Sequence, residues 1–203
     1  MSALQTISIL DAARIFGELE VAQSLQKNFL NLHMGKDGDY LSSVAPYLFA
    51  YQPGLEFGKW LLEKGWGNSW GVFIKTEVSL EEVQLHLRKY LMIKTDTGKE
   101  MYFRFYDPRV LRKYLPTCDP NQLKEFFGPI KSFGMESENP EFALEFSLDA
   151  GKLITTSLSK LDFLNRLNSP DAHDTSTARN SEQPESKNKN DDAPGKKWSF
   201  LIE

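Results

Sequence analysis

The sequence predicts an α/β fold, a mixed β-sheet with flanking helices, followed by a small C-terminal hairpin-and-helix lobe and a disordered tail. Three observations carry this. Through the first 131 residues, short apolar or alternating runs give way repeatedly to segments whose apolar residues recur every three or four positions, the patterns of strands and helices. Two pairs of strand-like runs are joined by short turns, Asp96-Thr97-Gly98 and Asp149-Ala150-Gly151, which make hairpins and rule out a purely parallel sheet. Residues 169–197 contain no large aliphatic or aromatic side chain and cannot bury enough surface to offset the entropy of ordering. The expected division is 1–131, the α/β domain; 132–168, the small lobe; 169–197, a disordered linker; and 198–203, an apolar terminal peptide.

Thr6–Leu10 reads as a buried strand, and Gly17–Phe29 as a helix with Leu19, Ala22, Leu25, Gln26 and Phe29 near one face. Ala45–Tyr51 is a strand with Pro46 at its start or on an edge. Leu55–Lys64 is too densely apolar for a helix covered on one face only, and Gly65 fits its C′ position. The glycine-rich aromatic turn Trp66–Gly71 leads into the strand Val72–Thr76; aromatic packing around a tight turn explains it better than a ligand-stacking platform. Ser79 and Glu82 form a capping box that starts a helix burying Leu80, Val83, Leu87 and Tyr90 or Leu91, with His86 beside that stripe and Arg88 on the opposite flank. A strand over 101–106 places Met101, Phe103 and Phe105 on one face and Tyr102, Arg104 and Tyr106 on the other. Asp107 then caps a helix with Pro108 at its first position, and Asp119-Pro120 starts another that Gly128-Pro129 ends. Phe142–Leu148 and Lys152–Leu158 make the second hairpin, and Leu161–Leu167 the last helix.

Composition excludes more than it selects. A formal charge of −4 and a pI near 5.5 give no global reason to expect nucleic acid or an anionic membrane as partner. The single cysteine, Cys118, excludes a disulfide framework and a multi-cysteine zinc site, and three scattered histidines do not suggest a metal; no cofactor is expected. No run of about 18 apolar residues and no signal-like start is present, so a soluble protein is expected.

The chemistry-bearing residues concentrate at the junction 103–109. A catalytic reading makes Asp107 a general base, with Arg104 and Arg109 binding an anion and His86 shuttling a proton, as in a small hydrolase or transferase. No nucleophile motif, phosphate loop or metal spacing accompanies them. The alternative is that Asp107 caps the helix and pairs with an arginine that orders the junction, since a buried arginine without an acidic partner is costly. The two readings differ in whether Asp107 is free in a cleft or saturated. Gly35–Asp39 has too few acidic residues for a calcium loop and reads as a turn. Arg109, Arg112 and Lys113 read as a solvated helix face in preference to a single-strand binding patch, and Cys118 as a passive thiol. The terminal peptide, with Trp198, Phe200 and Ile202, is expected to dock, either returning to the chain's own sheet or adding to a partner's sheet edge.

Several motifs occur in an order that resembles the bacterial type VI secretion effector adaptor, or chaperone, family: Ser-Ile-Leu-Asp-Ala (8–12), Ala-Pro-Tyr-Leu (45–48), Trp-Leu-Leu-Glu-Lys-Gly-Trp-Gly-Asn-Ser-Trp-Gly (60–71), His-Leu-Arg-Lys-Tyr-Leu (86–91), Phe-Arg-Phe-Tyr-Asp-Pro-Arg-Val-Leu (103–111) and Phe-Phe-Gly-Pro-Ile (126–130). The resemblance covers roughly residues 6–131. It implies a cytoplasmic, non-enzymatic protein that binds a cognate toxic effector and loads it onto the spike (VgrG-type) protein. It also implies that His86, Arg88, Arg104, Asp107 and Arg109 form one signature polar cluster at the sheet's edge, serving the fold or a partner contact. The region after the signature domain is shorter than in longer members of that family, which leaves open which surface grips the effector.

Overall fold

Side chains alternating along the central strands are apolar on both sides, so the sheet must be covered on both faces. The computed structural model describes residues 3–15, 17–33, 44–94, 98–168 and 199–200. In chain order these form β1 (Gln5–Asp11), α1 (Leu19–Leu25), β2 (Phe29–Asn31), β3 (Pro46–Tyr51), α2 (Glu56–Gly65), β4 (Gly71–Thr76), α3 (Leu80–Leu87), β5 (Met92–Lys94), β6 (Glu100–Tyr102), α4 (Pro108–Tyr114), α5 (Pro120–Phe127), β7 (Ile130–Glu136), β8 (Phe142–Asp149), β9 (Lys152–Ser159), α6 (Lys160–Asn168) and β10 (Ser199–Phe200). Single 3₁₀ turns follow α3 and α4.

Seven strands build the main sheet in the order β2-β3-β1-β4-β7-β8-β9, and β10-β5-β6 form a small second sheet. Ile7 and Ile9 of β1, Leu48 of β3, Val72 and Ile74 of β4, and Phe133 and Met135 of β7 point to one side, where α3, α4, α5 and the small sheet bury them. Leu10, Phe49, Tyr51 and Phe73 point to the other, under α1, α2 and α6. The α/β class with flanking helices is as expected. Every described strand pair is antiparallel, however, where a mixed sheet was expected, and the β5–β6 hairpin stands apart from the main sheet.

The hairpin and helix after residue 131 extend the main sheet instead of forming a lobe of their own. β7 pairs with β4 in the sheet's interior, β8 and β9 continue outward, and Phe163 of α6 packs on Phe73 at 5.9 Å. Gly134 makes that docking possible: a Cβ there would lie 2.5 Å from the Phe163 ring. The β8–β9 turn is Ala150-Gly151, both at positive φ, the two-residue hairpin geometry that matches strand twist.

Local signals located most helix starts. Ser79 and Glu82 form the expected capping box, Asp107 caps α4 before Pro108, and Asp119 caps α5 with Gln122 as its reciprocal partner. Three expectations are corrected. The helix expected over 17–29 ends at Leu25, because Gln26 turns extended and its side-chain Nε2 donates to Ala50 O; Phe29 then packs in β2 against Tyr47 and Phe49. The strand expected over 101–106 ends at Tyr102. Beyond it Phe103 still donates to Leu91 O, and the chain then turns, with Asp107 N donating to Arg104 O at 3.0 Å. As a result Phe103, Phe105 and Tyr106 are all buried while Met101 is exposed, which no alternation would give. Gly65 is the last residue of α2, and what its position requires is closeness: a Cβ would sit 2.9 Å from the Trp70 ring.

The expected turn at Gly35–Asp39 and the expected linker 169–197 lie outside the described residues. Of the terminal peptide, the backbone of Ser199–Phe200 pairs antiparallel with β5.

Candidate functional site

The junction between β6 and α4 carries a polar knot built by two aspartates and two arginines. Asp107, 1% exposed, is held at the N-cap of α4 by Arg109 N donating to its Oδ1 at 3.0 Å. Arg109 also wraps back side-on, its Nε donating to Oδ1 at 3.0 Å and its Nη2 to Oδ2 at 2.7 Å, a two-point grip on the carboxylate. Arg104 lies 3.6 Å from Asp107 Oδ2, but its hydrogen-bonded partner is Asp11 at the end of β1. Asp11 is fully buried, accepts Ala13 N on its other oxygen at 3.1 Å, and donates its own N–H to Trp70 O. Arg104 therefore clamps the hairpin side of the molecule to the end of a central strand.

The electrostatics follow from that geometry. Burial by itself would raise the Asp107 pKa, but hydrogen bonds from Arg109 and the charges of Arg109 and Arg104 outweigh it and hold the carboxyl below its ordinary range. Arg104 loses stability as a cation through burial and regains more from Asp11 and Asp107, so it stays charged. Tyr106, buried beside Asp11, is pushed well above its ordinary value.

The signature residues do not all meet. Arg104, Asp107 and Arg109 come together as expected. His86 is engaged elsewhere: its Nε2 is 2.9 Å from Phe126 O at the end of α5, its ring lies edge-on to Tyr90 at 5.4 Å, and it fills the space a Cβ at Gly128 would occupy. Burial, and secondarily Lys89, push its pKa below the ordinary value against the opposing effect of the Phe126 carbonyl. With Arg88 it lines a separate surface concavity beside Val78, Glu82 and Pro129. Asp107 thus has both oxygens occupied and no histidine beside it.

What the knot does border is an open groove of about 470 Å³. It is lined by Ile93 of β5, Met101 and Tyr102 of β6, Phe103, and Val110, Tyr114 and Thr117 on and after α4, together with the cations Arg104, Arg109 and Lys113. Met101 and Tyr102 are 42% and 39% exposed, so the groove keeps apolar surface open to solvent. The Arg104 and Arg109 side chains remain 40% and 47% exposed although each is paired with a buried aspartate, so both still present cationic surface. The groove's lining is mainly apolar with three cations and no acid among it, suited to an extended or helical segment carrying apolar anchors and acidic residues.

The glycine-rich turn 66–71 is filled by the protein itself. The Glu136 carboxylate accepts Gly67 N, Ser69 N at 2.9 Å and Ser69 Oγ at 3.1 Å, while Trp66 Nε1 donates to Pro140 O at 2.6 Å and its ring packs on Phe163. That matches the packing interpretation and adds a buried anion that local patterning did not reveal. Asp11 was missed similarly: its one signal was an acid closing an apolar strand, which demands a cation from somewhere. Cys118 is half-buried, its Sγ donates to Tyr114 O at 3.5 Å, and burial pushes its pKa up.

No helix among the described residues is long and apolar enough to cross a membrane. Neither the curated proteins nor the solved structures include a match to this chain. A family model described as a domain of unknown function, DUF4123, does match, over residues 8–125, a span that contains the second half of β1 with Asp11, the aromatic turn, the polar knot and the groove wall of α4. With more than half of its length under that model, the chain belongs to the DUF4123 family.

Proposed function

We propose that the protein is a type VI secretion effector adaptor that works by binding alone: it holds a cognate toxic effector in the cytoplasm of the producing cell and presents it to the VgrG-type spike. The family is associated with such adaptors. The observation that carries the reading is the groove, whose mainly apolar lining with Arg104, Arg109 and Lys113 suits a polypeptide segment. The saturation of Asp107, and the engagement of His86 with Phe126, support binding over turnover.

The test is co-expression with the products of neighbouring spike and toxin genes, followed by affinity capture. The wild-type chain should retain an effector or spike. Met101→Asp, a change at an exposed groove position, should weaken effector capture at least tenfold while leaving the thermal midpoint within about 2 °C, since surface substitutions rarely cost more than about 0.5 kcal/mol. No complex with either product, or capture unaffected by Met101→Asp, would count against the reading.

A further inference from the structure

The small sheet has an unusual third strand. β5 and β6 are joined as a hairpin, but β10 comes from the far end of the chain, pairing Ser199 with Lys94 and Phe200 with Ile93. In the same sheet Ile93 is opposite Met101, so position 200 falls in the cross-strand row of Ile93 and Met101. Both of those residues line the groove. The backbone N–H and C=O groups along the side of β5 away from β6 are a template for another strand, and here a remote segment of the same chain is laid along it.

We infer that the free edge of β5, together with the adjoining groove, is a strand-docking site, and that its resting occupant is the chain's own terminal segment 198–203. Three features argue for this occupant over any other. The pairing is antiparallel and in register with the groove's own row of side chains. The segment is Trp-Ser-Phe-Leu-Ile-Glu, with apolar residues at alternate positions 198, 200 and 202 and an acid at 203, the pattern that a groove lined by apolar side chains and three cations selects in an added strand. Thirty residues, 169–198, separate α6 from Ser199 and can span at most about 100 Å, ample for a domain of this size. A tethered strand competes at an effective concentration that can reach the millimolar range, so even a weak tail keeps the edge covered. The occupancy concerns this chain alone. Its consequence, that a partner's strand must displace the tail to bind the groove, rests on the adaptor reading.

Occupancy is tested with a fluorescein-labelled peptide of sequence Trp-Ser-Phe-Leu-Ile-Glu, followed by anisotropy against the full chain, against a chain ending at Lys197, and against the full-length double variant Ser199→Pro and Phe200→Pro, which keeps the tether but removes the strand's N–H donors. Circular dichroism checks that each is folded. The peptide should bind the shortened chain and the proline variant at least tenfold more tightly than the full chain, a scrambled peptide should bind none, and amide exchange at residues 92–94 should be faster in both variants. Equal affinity for all three chains, or no binding to the folded shortened chain, would overturn the inference. If the shortened chain does not fold, the proline variant decides. Because no effector or spike is used, a failure here leaves the adaptor reading standing, and a failure to capture an effector leaves this inference standing.

Discussion

At the scale of single residues the two arginines of the knot look interchangeable in sequence, but their partners make them unequal. Arg104 is the cation that compensates Asp11, a carboxylate with no exposure at all. Arg104→Ala should therefore leave a buried charge uncompensated and cost about 3 kcal/mol. Arg109 shares Asp107 with Arg104 and with the backbone N–H that the cap supplies, so Arg109→Ala should cost about 1 kcal/mol or less. Urea unfolding followed by circular dichroism measures both. Equal losses would mean that Asp11 does not depend on Arg104. The same residues mark where the sequence could be read. Asp107 as a helix cap was legible because cap, Pro108 and Arg109 are neighbours. Asp11 as the partner of Arg104 was not, because the pair is joined only once β1, β4 and the hairpin are assembled, and no local pattern encodes a contact 93 positions apart.

Between elements, His86 joins α3 to the end of α5 through Phe126 O, in buried surroundings that favour its neutral form. The folded chain holds the His86 pKa below its ordinary value, mainly through burial. The unfolded chain takes up that proton near its ordinary pKa of about 6.5 and the folded chain only at lower pH, so stability is lost as pH falls through this interval. The urea midpoint should drop between pH 7.5 and 5.5, and drop less in His86→Gln, which can keep a hydrogen bond to Phe126 O without titrating. Parallel losses in the two proteins would place the proton elsewhere. Element starts were largely legible for a related reason: the Ser79, Asp107 and Asp119 caps and the Ala150-Gly151 turn are local devices whose chemistry is complete within four residues. Element ends were less so. Helical periodicity continues through Gln26 to Phe29, but tertiary contacts with Ala50 and Phe49 draw that stretch into the sheet.

For the molecule as a whole, the decisive arrangement is that β7 lies between β4 and β8. The family match ends at residue 125, inside α5, yet the strand that completes the central sheet begins at Ile130. A chain ending at residue 131 should have no cooperative thermal transition, because β4 loses its neighbour and Phe133, Met135 and Phe146 are lost from the larger apolar cluster. One ending at residue 168 should unfold in a single transition. A cooperative transition in the shorter chain would show that the region after 131 is an independent unit after all. Hairpin and helix were readable there, but their attachment was not: strand order is settled by which faces can be buried together, and Gly134 facing Phe163 is a fit that only the assembled layers display.

Cys118 gives the chain an experimental property of its own. As the sole cysteine of the 203 residues, half-covered and held to the Tyr114 carbonyl with its pKa raised, it is a sluggish nucleophile at neutral pH. A second thiol introduced on exposed surface, on the groove wall or near the terminal strand, would react first with a maleimide dye. Single-site optical labelling of the natural background is thereby open without first removing Cys118 from the packing around Tyr114.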